Sequence, residues 1–240
     1  MAATFTKLGL RVHILDVDCK VGTMENLKPF FKDGLLEVTE VKELLTQAKL
    51  ATKVKSPRAA IAAQPRGYMR IVEFIDDLVA KMDSGEEPPF DVLVLDSLTS
   101  AIEHFKRLLM HLDKPKEDLR LEFDHWNALL ANLEELFTTL QYLHGWLKHI
   151  VVIAHERIDY ERSGEMASIS AILPAIEGSM REKVGKYFGE VYNLQVSQVG
   201  TKVERRVLTQ PIRKYVARTS RDLETFEVAD FSVILSRGAK

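Results

Sequence analysis

The sequence predicts an α/β layered fold with a mostly parallel central sheet flanked by helices, on three observations. First, residues 11–18 (RVHILDVD), 90–96 (FDVLVLD) and 149–155 (HIVVIAH) are nearly continuous apolar runs. Such runs suit parallel strands buried on both faces. Second, segments of helical spacing separate them, which is the alternation of helices packed on a parallel sheet. Third, each run ends in a polar cluster: Asp16 and Asp18, then Asp96 to Ser100, then His155 and Glu156. Ligands of such sheets bind at the carboxyl ends of the strands, so all three clusters are candidates for one crevice.

In chain order, residues 2–9 read as a helix end closed by Gly9, glycine being the usual residue past a helix C-terminus. The strand at 11–18 follows, and residues 35–38 read as a second, short strand. Residues 41–50 and 68–82 have helical spacing. The strand at 91–95 leads to a helix over 100–112 and a charged break around Pro115. Residues 126–147 form a long amphipathic helix, with Leu129, Leu133, Leu136, Leu140 and Leu143 on one face. After the strand at 149–155, hairpin-like runs are predicted at 191–196, 204–208 and near 231–235. One domain over 1–240 is expected, its part 189–240 being a C-terminal β-rich extension.

A length of 240 residues, 46% of them hydrophobic, suits one α/β domain with a sizeable core. The net charge is -2, so any nucleic-acid affinity must come from a local patch. Cys19 is the single cysteine, which excludes an internal disulfide and suggests a reducing compartment. No apolar run approaches the roughly 18 residues of a membrane span. The N-terminus lacks a basic region followed by an apolar signal core. A cytoplasmic protein without membrane contact is expected.

The strand-end residues suggest nucleotide chemistry. An apolar strand ending in Asp96-Ser97 is the pattern in which a carboxylate sits beside the Mg²⁺ of a bound nucleotide. Mg²⁺ dehydrates reluctantly, so Asp96 is expected to act through bound water, with Ser97 beside it. The plainer reading is a strand-end aspartate leading into the next helix. Asp18, or Asp16 as the alternate, is placed to polarise an attacking water; His155 is placed to sense a terminal phosphate. A strand-end turn explains each equally well. The histidines show no zinc spacing. No G-x-x-x-x-G-K-[ST] phosphate loop occurs, and residues 178–187 (GSMREKVGKY) have the wrong spacing for one.

Two basic stretches are candidate nucleic-acid contacts, although charge runs are usually solvated faces. One includes Lys53, Lys55, Arg58 and Arg66; the other includes Arg205, Arg206, Arg213, Lys214 and Arg218. Such clusters bind phosphates without sequence preference, and Tyr68 and Tyr215 are candidates to stack on bases. Arg213, Lys214 or Arg218 also qualify as groups reaching a neighbouring subunit's nucleotide.

The order ILDVD, VLVLDSLTS, IVVIAHE, LPAIEGSMREKVGKYFGEVYNL and RKYVARTSRD resembles the phage RecA-like P-loop NTPases of the AAA type that accompany single-strand annealing and recombination. The resemblance spans nearly the whole chain. It implies a RecA-like core binding ATP and Mg²⁺, single-stranded DNA as partner, a homo-oligomer, and a recombination or single-strand binding protein as a further partner. A phage-encoded protein would act in the host cytoplasm. By position, Asp96 becomes the Walker B acid, Asp18 the base and His155 the sensor. Members of this group begin with a strand and the phosphate loop, which these residues lack. A truncated or misassigned start, and no hydrolysis by the chain as given, are therefore expected. The alternative is a non-catalytic DNA-binding or scaffold module with a degenerate NTPase fold.

Overall fold

The computed structural model describes residues 1–42, 65–112, 121–163, 166–199 and 202–237. The predicted helix at 41–50 and the break around Pro115 fall largely outside them. The chain divides into two compact units, one of Arg11–Ala154 and one of Met1–Leu10 with His155–Lys240.

The first unit is built on a four-stranded parallel sheet. Its strands are β1 (Val12–Asp16), β2 (Leu36–Glu40), β3 (Val92–Asp96) and β4 (His149–Ile153), in the order β2-β1-β3-β4. The apolar runs become strands because both faces are covered. Every residue of β1 is buried, as are Val92, Leu93, Val94 and Leu95 of β3. A short helix, α1 (Lys28–Lys32), precedes β2. Three longer helices follow: α2 (Gly67–Asp83), α3 (Leu98–Leu112) and α4 (Phe123–Leu143). In α4 the predicted stripe Leu129, Leu133, Leu136, Leu140 and Leu143 is buried, together with Phe137. The helix ends at Leu143, four residues short of the predicted end at Leu147. Gly145 and Trp146 instead close a turn on the carbonyls of Tyr142 and Leu143.

Helix α2 packs against α3, and α3 against α4. Tyr68 stacks on Phe105 with ring centroids 4.3 Å apart and is 5% exposed. It is a core residue, which corrects the expectation that it stacks on bases.

In the second unit, residues Ala2–Leu8 form a 3₁₀ helix that ends at Gly9 in the left-handed region, at φ 72. Strands β5 (Glu156–Ser163) and β6 (Met166–Pro174) make an antiparallel ribbon with a register shift between Asp159 and Tyr160. The sequence reading missed this ribbon, because ERIDYERS alternates weakly and reads as polar. The short helix α5 (Met180–Lys183) follows, burying Met180. Strands β7 (Asn193–Val199), β8 (Lys202–Leu208) and β9 (Phe226–Val228) form an antiparallel sheet in that order. Residues 231–235, predicted as a strand-like run, lie in the helix α6 (Phe231–Ser236). Asp230 overrides the apolar run by capping it: its Oδ1 accepts from the Ser232 amide at 2.9 Å. A small core of Val207, Leu223 and Ile234 lies under this helix, with Met1, Tyr192 and Phe231 packed against it. Among the described residues no helix is long and apolar enough to cross a membrane.

Candidate nucleotide site at the strand ends

The parallel register brings three carboxylates to one end of the sheet. Asp16 is the partner of Glu40 on one side and of Asp96 on the other. Paired residues on neighbouring strands share a face, so the three project on the same side. Glu40 was not anticipated, because β2 was expected to stop at Val38. Its signal was the continued alternation Leu36, Val38, Glu40 beside a central strand.

Asp16 has no exposed surface. Its Oδ2 accepts from the Val21 amide at 2.8 Å, which closes the loop after β1. Its Oδ1 is buried with no hydrogen-bond partner. The loop it closes carries Asp18 and Cys19, the latter at φ 54. Two amides of this loop bond back to β3: those of Val17 and Asp18 reach the Asp96 carbonyl at 2.6 and 3.3 Å. The Ser97 hydroxyl donates to Asp18 Oδ1 at 3.0 Å, and Lys20 lies 3.6 Å from Asp18 Oδ2. Ser97 is fully buried and also accepts from the Ser100 amide at 3.3 Å, which starts α3. Lys42 pairs with Glu40. Burial, and then the negative charges of Asp16 and Glu40, push the Cys19 thiol above its ordinary value. It is a protonated packing residue within an anionic surround.

The predicted residues of this unit, Asp16, Asp18, Asp96 and Ser97, thus come together. His155 lies in the other unit, where it is exposed and its carbonyl accepts from the Ala175 amide at 2.7 Å. Among the described residues, no group of three or more His, Cys, Asp or Glu side chains could hold a metal ion by itself. Asp96 is half-buried at the end of β3.

Of the basic candidates, Lys53, Lys55 and Arg58 fall outside the described residues. Arg66 is exposed immediately before α2. Arg205 and Arg206 are exposed on β8, and Arg206 pairs with Glu204 at 2.7 Å. Arg213 and Lys214 form the tip of a turn closed by the Tyr215 amide on the Ile212 carbonyl, with Arg213 at φ 53. The Lys214 carbonyl accepts from the Ile172 amide at 2.8 Å, so the tip is held to β6 while both side chains stay exposed. Arg218 donates to the carbonyls of Gly185 and Phe188, which engages its guanidinium in backbone contacts.

The sequence profile of the family AAA_24, described as an AAA domain, matches residues 32–221. None of the curated proteins compared matches the chain. Among solved structures, the chain is similar to the flagellar accessory protein FlaH from Methanocaldococcus jannaschii. That similarity is at 10% identity and a TM-score of 0.45, over 95% of this chain and 80% of that one. The matched span includes β2, β3 and the whole of α2 to α4, and it reaches the basic turn in the second unit. The chain belongs to the AAA domain family AAA_24, a family of P-loop NTPases.

Proposed function

We propose that this protein binds Mg²⁺-ATP at the carboxyl ends of β1 and β3 and binds single-stranded DNA, acting in annealing or strand exchange. The observation that carries the nucleotide reading is the hydrogen bond from Ser97 to Asp18 across two neighbouring strand ends, beside Asp96. In this reading Asp96 holds the metal through water. Asp18, fixed by Ser97 and Lys20, orients a water toward the terminal phosphate. Mg²⁺ supplies neutralisation of the charge that develops on the phosphate oxygens.

Single-stranded DNA is assigned to the exposed cations Arg66, Arg213 and Lys214. The tethered turn at Arg213 and Lys214 presents two charges at a defined position, which suits either a DNA phosphate or the nucleotide of a neighbouring copy in a homo-oligomer. A recombination or single-strand binding protein is the further partner expected on the same reading. The second reading is a non-catalytic DNA-binding or scaffold module with a degenerate NTPase fold.

Calorimetric titration with Mg²⁺-ATP tests the first reading. Binding that requires Mg²⁺ and is lost in Asp96→Asn supports it. Binding unchanged in that variant removes Asp96 from the site, and no binding favours the scaffold. Fluorescence anisotropy of a labelled oligothymidylate at two salt concentrations tests the DNA assignment. Affinity that falls with salt and with Arg213→Ala/Lys214→Ala supports it.

A further inference from the structure

The loop after β1 carries a long cation on a fixed backbone. The Lys20 carbonyl accepts from the Thr23 amide at 3.0 Å and from the Thr23 hydroxyl at 2.7 Å. The amide of the next residue, Val21, donates to the buried Asp16 Oδ2 at 2.8 Å. The main chain around Lys20 is therefore tied down, whereas its side chain is 67% exposed. Its Nζ lies 3.6 Å from Asp18 Oδ2, while Asp18 Oδ1 accepts from the Ser97 hydroxyl. The second lysine at the strand ends, Lys42, pairs instead with Glu40 on β2, which β1 separates from β3 and Asp96. An ion pair as exposed as Lys20 with Asp18 adds little to stability, because water screens it. Its place beside Asp18 is what gives it a use.

We propose, resting on the nucleotide site read at the ends of β1 and β3, that Lys20 contacts the terminal phosphate of a nucleoside triphosphate and sets a preference for triphosphate over diphosphate. In that reading Asp18 orients a water toward the terminal phosphate. Such a water lies about 2.6–3.2 Å from the carboxylate that holds it. An ammonium 3.6 Å from the same carboxylate is then within reach of the phosphate oxygens that the water approaches. Lysine binds phosphate as a point charge on a flexible stem, so only its main chain needs to be fixed. Moving from Asp18 to the phosphate costs little, because the pair given up is largely in water. The same move relieves Asp18 of its cation and leaves it with Ser97, free to accept from the water. A diphosphate offers no terminal phosphate there, and Lys20 stays on Asp18.

The test is calorimetric titration of the full chain with Mg²⁺-ATP and with Mg²⁺-ADP, for the wild type, Lys20→Met, Lys20→Arg and Asp96→Asn. The ratio of the two affinities is the readout. The wild type is expected to bind ATP more tightly than ADP. Lys20→Met is expected to lose at least about tenfold for ATP, the value of one charge-assisted contact, and much less for ADP. Lys20→Arg is expected to keep the preference. Thermal unfolding of Lys20→Met near the wild-type temperature, as its exposure leads one to expect, shows that the loss is not one of folding. An unchanged ratio in Lys20→Met overturns the assignment. So does an equal loss for both nucleotides, which is general attraction, and so does a wild type without preference. A wild type that binds neither nucleotide, or an Asp96→Asn variant that binds both as before, removes the site itself and Lys20 with it.

Discussion

Ser97 and Asp18, 79 positions apart in the chain, are joined by a hydrogen bond of 3.0 Å between the ends of β3 and β1. The bond ties the strand-end carboxylate of one crossover to the first residue of the next. The Asp96 carbonyl strengthens the link by accepting from two amides of the Asp18 loop.

Ser97→Ala removes this donor and an acceptor for the Ser100 amide, at a position with no exposed surface. A loss of about 1–3 kcal/mol is expected, because the buried partners lose their bonds. Urea unfolding checks the stability. Calorimetry with Mg²⁺-ATP checks that the nucleotide affinity falls with it.

Asp16→Ala and Asp16→Asn separate two roles of a buried carboxylate. The amide oxygen of asparagine still accepts from the Val21 amide, whereas alanine leaves that amide unpaired. Alanine is therefore expected to cost about 1–3 kcal/mol and asparagine less. Thermal unfolding followed by circular dichroism ranks the two. Equal losses would mean that the closure of the loop after β1 does not depend on this hydrogen bond.

Gly67→Ala tests the packing of α2 on α3. A Cβ at Gly67 would lie 2.1 Å from Nδ1 of His104 and 2.8 Å from its Cε1 and Cγ. The ring of a buried histidine has little room to move, so overpacking of about 1–3 kcal/mol is expected. The double variant Gly67→Ala/His104→Ala should recover part of that loss in the same unfolding assay.

His13 makes stability depend on pH. It lies on β1 with ring centroids 5.0 Å from Phe74 and 4.9 Å from Phe90, and its Nε2 is 3.0 Å from the Thr39 hydroxyl. Burial lowers its pKa below the ordinary 6.5, and Glu37 at 3.5 Å offsets only part of that. The unfolded chain therefore takes up a proton first. The contribution of His13 is complete above pH 6.5 and is lost as the pH falls from there through its native value. Urea midpoints measured from pH 8 downward should fall over that window, and His13→Gln should flatten the fall.

Asp230 behaves in the opposite range. Burial works against its charge, but Lys7, the Ser232 hydroxyl and the Ser232 amide outweigh it and hold the carboxyl at about 2. The stabilisation is present above the ordinary 3.8 and is lost as the pH falls through about 2. Asp230→Ala also removes the cap of α6, for which about 0.5–2 kcal/mol is usual. Acid unfolding of the wild type and Asp230→Ala should converge at the low end of that range.

How much was legible depended on the kind of signal. Strands β1 and β3 and the long helices were readable because burial on both faces, or along one stripe, leaves a local pattern in the residues themselves, and β4 was readable from its run of apolar residues. The strand-end acids Asp16, Asp18 and Asp96 were readable for the same reason, as the polar residues that end apolar runs. The ribbon β5-β6 was not, because ERIDYERS reads as polar and is held by pairing with a segment that follows it. Helix α6 was mistaken for a strand because five residues carry no helical period, and its cap, Asp230, decided the matter.

From the sequence alone came the α/β class, the order of the parallel strands' apolar runs and the side-chain chemistry at their ends. All of these are properties of short stretches of chain. Tertiary structure alone decided that Asp16 stands between Glu40 and Asp96, that Ser97 reaches Asp18, and that Tyr68 is core. Each of these depends on which distant strand or helix lies alongside, and pairing partners separated by tens of residues leave no mark within either segment.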